Sequence, residues 1–145
     1  MSLAGKVAIV TGSGRGLGLA YARELARQGA AVVVNDVDAE VAADAVRTIQ
    51  SDGGRAAAVV APVGSSDVAR QLVQAAVTEF GRLDILVTNA GILRDKSLLK
   101  MTDEDFDAVI NVHLRGTFTC AREAFGYFKE NNIAGRIITI GSPTG

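Results

Sequence analysis

The residues best suited to chemistry come early, in the run TGSGRGLG from Thr11 to Gly18. The spacing is T-G-x-x-x-G-x-G, carried by Thr11, Gly12, Gly16 and Gly18. The commoner G-x-G-x-x-G is not met, because Leu17 stands where its last glycine would fall. Glycines without a Cβ let the main chain approach a pyrophosphate. A helix opening near Gly16 would aim its free N–H groups at that charge, with Ser13, Arg15 and Leu17 filling the turn. A tight turn with no ligand is the plain alternative. Asp36 follows 18 residues after Gly18. An acid at the end of a second strand can accept hydrogen bonds from both hydroxyls of an adenosine ribose and would repel a 2′-phosphate. Arg15 argues the other way, since a guanidinium pairs with phosphate. Asp36 would occupy the place of that phosphate, so the expectation is NAD rather than NADP. A later tetrapeptide, Thr88 to Gly91 (TNAG), offers small residues at a strand end. There Asn89 can tie neighbouring strands through its amide, and Ala90 and Gly91 leave room for a ligand.

These residues need elements to hold them. Short apolar, β-branched runs predict strands at Lys6–Val10, Ala31–Val34, Ala56–Val60, Leu83–Val87 and Arg136–Ile140. Helical spacing of apolar residues predicts helices over Gly16–Gln28 and Asp38–Gln50. A third runs to Phe80 with Ser66 as N-cap and Asp67 as an early negative charge. A long one runs from Thr102 to about Lys129. The acids of TDEDFD read as that helix start rather than as a metal site, and no metal is expected. Strands alternating with helices imply βαβ units. The fold class is therefore α/β, a doubly wound parallel sheet of Rossmann type with strand order 3-2-1-4-5.

In that order the fifth strand lies at an edge, yet Ile137, Ile138 and Ile140 are what a central strand carries, and no charge or proline guards them. The expectation is one dinucleotide-binding domain over 1–145, incomplete at its C-terminus. A net charge of −1 gives no basic footprint for nucleic acid or a membrane surface. No apolar run reaches the ~20 residues of a membrane span. Only Cys120 is present, which fits a reducing, cytoplasmic setting and an inert core thiol.

Taken in order, TGSGRGLG, Asp36, LDILVTNAG, NVHLRGTF (Asn111–Phe118) and GRIITIGS resemble the short-chain dehydrogenases/reductases from Lys6 onward. The stretches Gly91–Asp107 and GRIITIGS look most like members acting on 3-oxoacyl or 3-hydroxyacyl thioesters. The resemblance implies hydride exchange between a nicotinamide and a secondary alcohol or ketone, a small-molecule substrate borne as an acyl-CoA or acyl-carrier-protein thioester, and a homo-oligomer built on the long helix. It makes Ser142 the serine that holds the reacting oxygen. The family's tyrosine and lysine, Y-x-x-x-K, are absent: Leu25 and Asn131 stand four residues after Tyr21 and Tyr127. The expectation is that the 145 residues alone are inactive. His113 occupies the family's helix-asparagine position and could hold a water through its imidazole; a satisfied helix histidine is the alternative. Asn111, two residues earlier, faces another side of the helix. Pro62 replaces the side chain that meets adenine, leaving the Val63 N–H for that contact. The rival reading is a non-enzymatic dinucleotide-binding or scaffold module ending at Gly145.

Overall fold

A computed structural model describes residues 2–143. The expected domain runs through Gly145, which with Met1 and Thr144 lies outside the described residues. Five strands form one parallel sheet: β1 Val7–Val10, β2 Ala31–Asp36, β3 Arg55–Val60, β4 Ile85–Thr88 and β5 Arg136–Thr139. Their order is β3-β2-β1-β4-β5, as read from the alternation of elements. Between them run α1 Gly16–Arg27, α2 Ala39–Ser51, α3 Ser66–Phe80, α4 Asp103–Ile110 and α5 Gly116–Glu130.

Side chains alternate across the strands, and each face acquires its own helix layer. Val7, Ile9 and Val33 pack with α3 and α5 residues such as Leu72, Ala124 and Phe128. Ala8, Val10, Val32 and Val34 pack with Ala22 of α1 and Ile49 of α2. Near-continuous Val, Ile and Ala in β1 and β2 thus feed two cores at once, and every residue of β1 is buried. Burial pushes the Cys120 thiol up to about 11, so it sits as a neutral core side chain.

Three expectations shift. The cap of α3 is Ser65, whose hydroxyl accepts from Val68 N; Ser66 is the first helical residue. The fourth strand begins at Ile85 rather than Leu83. Asp84 closes the end of the ladder instead, its N–H donating to Val7 O at 2.9 Å and its carboxylate accepting from Val7 N at 3.0 Å. Burial alone would raise the Asp84 pKa. The Arg82 guanidinium, the Val7 N–H and Lys6 outweigh it and hold the carboxyl below its ordinary value. Finally, the long helix is not one α-helix: Asn111–Arg115 forms a π-helical turn between α4 and α5. A π turn widens the coil and re-aims the side chains within it. Strand β5 is the sheet edge, with Ile137, Ile138 and Ile140 partly exposed. Among the described residues no helix is long and apolar enough to cross a membrane.

Candidate functional site

Strand order reverses direction between β1 and β4, and the loops after these strands part there to leave a crevice of ≈ 550 Å³. Open α/β sheets bind ligands at such a point, beyond the carboxyl ends of the strands. Gly12, Arg15, Leu17, Gly18, Asp36, Val63, Asn89, Ala90 and Gly91 all line it, together with Pro62, Ile92 and Val112. A second hollow of ≈ 530 Å³ lies between α1 and α2, walled by the pairs Arg23–Asp52 and Arg27–Glu24. It sits by the C-terminal ends of those helices, away from the glycine turn.

The turn after β1 is held from three sides. Gly12 has φ +62°, and a Cβ there would sit 2.7 Å from Ala90 Cα, so both its conformation and its neighbour require glycine. Gly18 is packed as closely, since a Cβ would lie 2.5 Å from Asn89 Nδ2. Asn89 Nδ2 donates to Thr11 O and Gly12 O, each at 3.1 Å. Thr11 Oγ1 accepts from Asn89 N at 2.9 Å and from Ala90 N at 3.0 Å. The amide of Asn89 therefore ties β4 to the glycine turn, as its type and place lead one to expect. Asn35 is the hub that sequence reasoning passed over. Its Oδ1 accepts from Gly12 N at 3.2 Å, while Nδ2 donates to Val59 O and Ala61 O, binding β1, β2 and β3 together. The unbroken apolar run of β2 was the available signal: Asn35 extends a strand buried on both faces, where an amide must find partners.

Helices α2, α3 and α4 each carry a side-chain cap, from Asp38, Ser65 and Thr102. Helix α1 does not: Arg15 at its N-cap makes no cap bond, and no acid stands in the first turn. Its free N–H groups meet the crevice bearing the positive end of the helix dipole, an arrangement that favours an anion. Asp36 takes the Asp38 N–H on Oδ1 at 3.1 Å, and its other oxygen lies against Gly14. Ser13 stands behind the crevice rather than in it. The residue is fully buried, and its hydroxyl donates to Val10 O at 2.6 Å and accepts from Asn35 N at 3.1 Å.

The remaining candidates are arranged around the mouth. Gly16 has φ +58° and open space about it. His113, in the π turn, brings Nε2 to Ile92 N at 3.1 Å and to Ile92 O at 2.9 Å; its ring edge rests on Gly91. It touches the crevice wall without lining the crevice. Ser142 is exposed on the loop after β5, and it too is not among the lining residues. The bond from Ile140 N to Thr88 O at 3.1 Å keeps that loop beside the TNAG turn. Past Gly91, the segment up to Met101 is anchored by Asp105. This carboxylate takes Lys96 at 2.6 Å, lies 3.8 Å from Arg94, and forms a capping box with Thr102. The Lys96 ammonium first, then the Thr102 donors, lower the Asp105 pKa to about 2. Leu93, Leu98 and Leu99 stand exposed on that segment.

A family model described as short chain dehydrogenase matches residues 6–145. A (2S)-[(R)-hydroxy(phenyl)methyl]succinyl-CoA dehydrogenase subunit of Thauera aromatica is 42% identical over 142 residues, 98% of this chain and 57% of that protein. A hydroxyacyl-CoA dehydrogenase of Mycobacterium tuberculosis is 44% identical over 155 residues, covering 99% of this chain and 49% of its own. The crystal structure of a short chain dehydrogenase from Mycobacterium avium superposes with a TM-score of 0.94 at 41% identity, covering 98% of this chain and 54% of that one. The chain thus spans about half the length of these relatives.

Proposed function

Because the chain belongs to the short-chain dehydrogenase/reductase family, we propose that it forms the NAD-binding part of an oxidoreductase acting between a secondary alcohol and a ketone. The observation that carries this reading is the uncapped N-terminus of α1 over the glycine turn, at the mouth of the crevice. Gly12 and Gly18, where a Cβ would collide with the neighbouring turn, fit a main chain drawn close to a pyrophosphate. The turn from Gly12 to Gly18, with Gly16 open at its outer edge, and the first N–H groups of α1 would hold that pyrophosphate. Asp36 would accept from the adenosine ribose, the Val63 N–H would meet adenine, and Asn89, Ala90 and Gly91 would wall the nicotinamide side. When bound, the nicotinamide supplies the hydride acceptor or donor.

The chain's own residues orient the substrate. Ser142 offers a hydroxyl to the substrate oxygen, where negative charge develops during reduction. His113 holds Ile92 through Nε2, which leaves Nδ1 as the ring nitrogen for a bound water. The chain holds no Tyr-x-x-x-Lys, so the 145 residues alone would bind cofactor without turnover. A 3-hydroxyacyl or 3-oxoacyl thioester is the substrate class we favour; the acyl-CoA names of the similar dehydrogenases support it, as does the apolar segment carrying Leu93, Leu98 and Leu99. Phe106, Ile110, Leu114, Phe118 and Phe125, exposed along α4, the π turn and α5, support a homo-oligomer. A cytoplasmic setting, supported by one buried and unpaired cysteine, completes the reading.

The rival, a non-enzymatic module, draws on the same missing tyrosine and lysine. Calorimetry with NADH and NADPH tests the cofactor assignment that both readings share, and a turnover assay on a 3-oxoacyl-CoA tests the inactivity expected of these residues alone. We expect saturable NADH binding tighter than NADPH. An absence of dinucleotide binding ends the cofactor assignment, and turnover by these residues alone ends the assignment of missing proton-transfer groups.

A further inference from the structure

One five-residue turn touches both walls of the crevice. His113 grips Ile92 on one wall, Val112 lines the crevice itself, and Asn111 reaches the opposite wall. There the carboxamide of Asn111 lies against Gly64: a Cβ built on Gly64 would come within 2.8 Å of Asn111 Cγ and 2.9 Å of Oδ1. Gly64 has φ +134°, a conformation that side-chain-bearing residues rarely adopt. The residue before it is pinned as well. Val63 is 6% exposed and packs against Gly116, where a Cβ would lie 3.0 Å from Val63 Cγ2. The peptide joining Val63 to Gly64 is therefore caught between the start of α5 and the Asn111 amide. Residues two apart on a helix face opposite sides, so Asn111 and His113 reach different loops from one turn.

We infer that Asn111 is a positioning residue for the adenine side of the crevice, its carboxamide backing Gly64 and thereby fixing the main chain at Val63. This rests on the dinucleotide reading above, in which Val63 N–H meets adenine. Asn111 touches no cofactor in that reading and acts only through the loop. Its side chain is exposed and makes no capping or ladder bond that the helix needs, and alanine is the better helix former. Loss of the amide should thus leave thermal stability unchanged or raised while binding weakens.

The test is calorimetric titration of ADP-ribose and NADH into the full chain, its Asn111→Ala variant and its Asn111→Asp variant, with thermal melts of all three. We expect Asn111→Ala to weaken ADP-ribose and NADH by a similar factor, roughly three- to tenfold, with no loss of melting temperature. The isosteric Asn111→Asp should recover most of the affinity. Amide NMR of the ligand-free chains should show Val63 and Gly64 displaced in Asn111→Ala and not in Asn111→Asp. Parent-like ADP-ribose affinity in Asn111→Ala, or unmoved Val63 and Gly64 signals, overturns the inference and leaves the dinucleotide reading standing. Failure of the unsubstituted chain to bind either ligand removes the dinucleotide reading, and the inference with it.

Discussion

At the scale of single residues, the crevice separates side chains that meet a ligand from those that hold the main chain for one. On the proposed function, Asp36 belongs to the first group. A hydrogen bond to a charged group contributes about 1.5–3 kcal/mol, so Asp36→Ala should weaken NADH roughly tenfold to a hundredfold while NADPH, freed of repulsion and still near Arg15, binds better. Competitive titration of the two cofactors reads the ratio directly. A variant that keeps the parent's preference would show that Asp36 does not set it. Asn35 belongs to the second group. Asn35→Leu strips partners from Gly12 N, Val59 O and Ala61 O at once. Leaving buried groups unpaired costs about 1–3 kcal/mol each. We expect urea denaturation to place the variant several kcal/mol below the parent, and a loss under about 1 kcal/mol would mean that relaxation re-pairs those groups. The contrast explains what could be read in advance. Asn89 sits in a small-residue tetrapeptide at a strand end, where an amide has an evident use. Asn35 stands beside Asp36 at a strand end, and its partners at Gly12, Val59 and Ala61 come together only in the folded sheet. Ser13 differs again: a hydroxyl within a glycine turn looks available for phosphate, and the folded turn has it bonded to Val10 and Asn35.

At the scale of elements, strands and helices were legible wherever one pattern acted alone. Thr102 followed by three acids reads as a helix start because hydroxyl and carboxylates both complement the bare N–H groups, and the structure forms a capping box there. The π turn at Asn111–Arg115 was not legible. Apolar residues at Phe106, Ile110, Leu114 and Phe118 keep a four-residue spacing compatible with an uninterrupted helix, and the contacts of the turn with the Val63 and Ile92 loops exist only in the folded chain. The Asp105 anchor carries a pH prediction. Its folded pKa, about 2, lies below the ordinary carboxylate value near 3.8. Its contribution is therefore complete above the ordinary value and is lost as pH falls through the folded one. Between about pH 4 and pH 2 the Lys96 and Arg94 pairs should dissolve and the segment from Ile92 to Met101 should loosen. Amide NMR signals of Arg94 to Lys96 should titrate in that window. In Asp105→Asn the window should vanish, because the segment is already released at neutral pH. Signals unchanged down to pH 2 would mean that other contacts hold this segment.

At the scale of the molecule, strand order followed from element alternation and the handedness of βαβ crossovers, so the site fell where the order reverses. What alternation leaves open is which surfaces meet a partner. Two exposed apolar surfaces compete. One is the stripe of Phe106, Ile110, Leu114, Phe118 and Phe125 along α4, the π turn and α5, with Leu114 64% and Phe118 56% exposed. The other is β5, the edge strand of the sheet among the described residues, with Ile137, Ile138 and Ile140 partly exposed. Contiguous apolar patches of more than a few hundred Å² mark contact surfaces, and an open edge strand is a template for another strand. The two predict different assemblies. Helix stripes pack by side chains and give a closed, symmetric oligomer, whereas edges pair by main chain and are blocked by a single charge. We expect sedimentation velocity to show a discrete oligomer that Leu114→Glu with Phe118→Glu converts to monomer, while Ile138→Lys leaves it intact. The reverse pattern, with association surviving the helix substitutions and abolished by Ile138→Lys, would assign the contact to β5 and remove α4 and α5 from the oligomer.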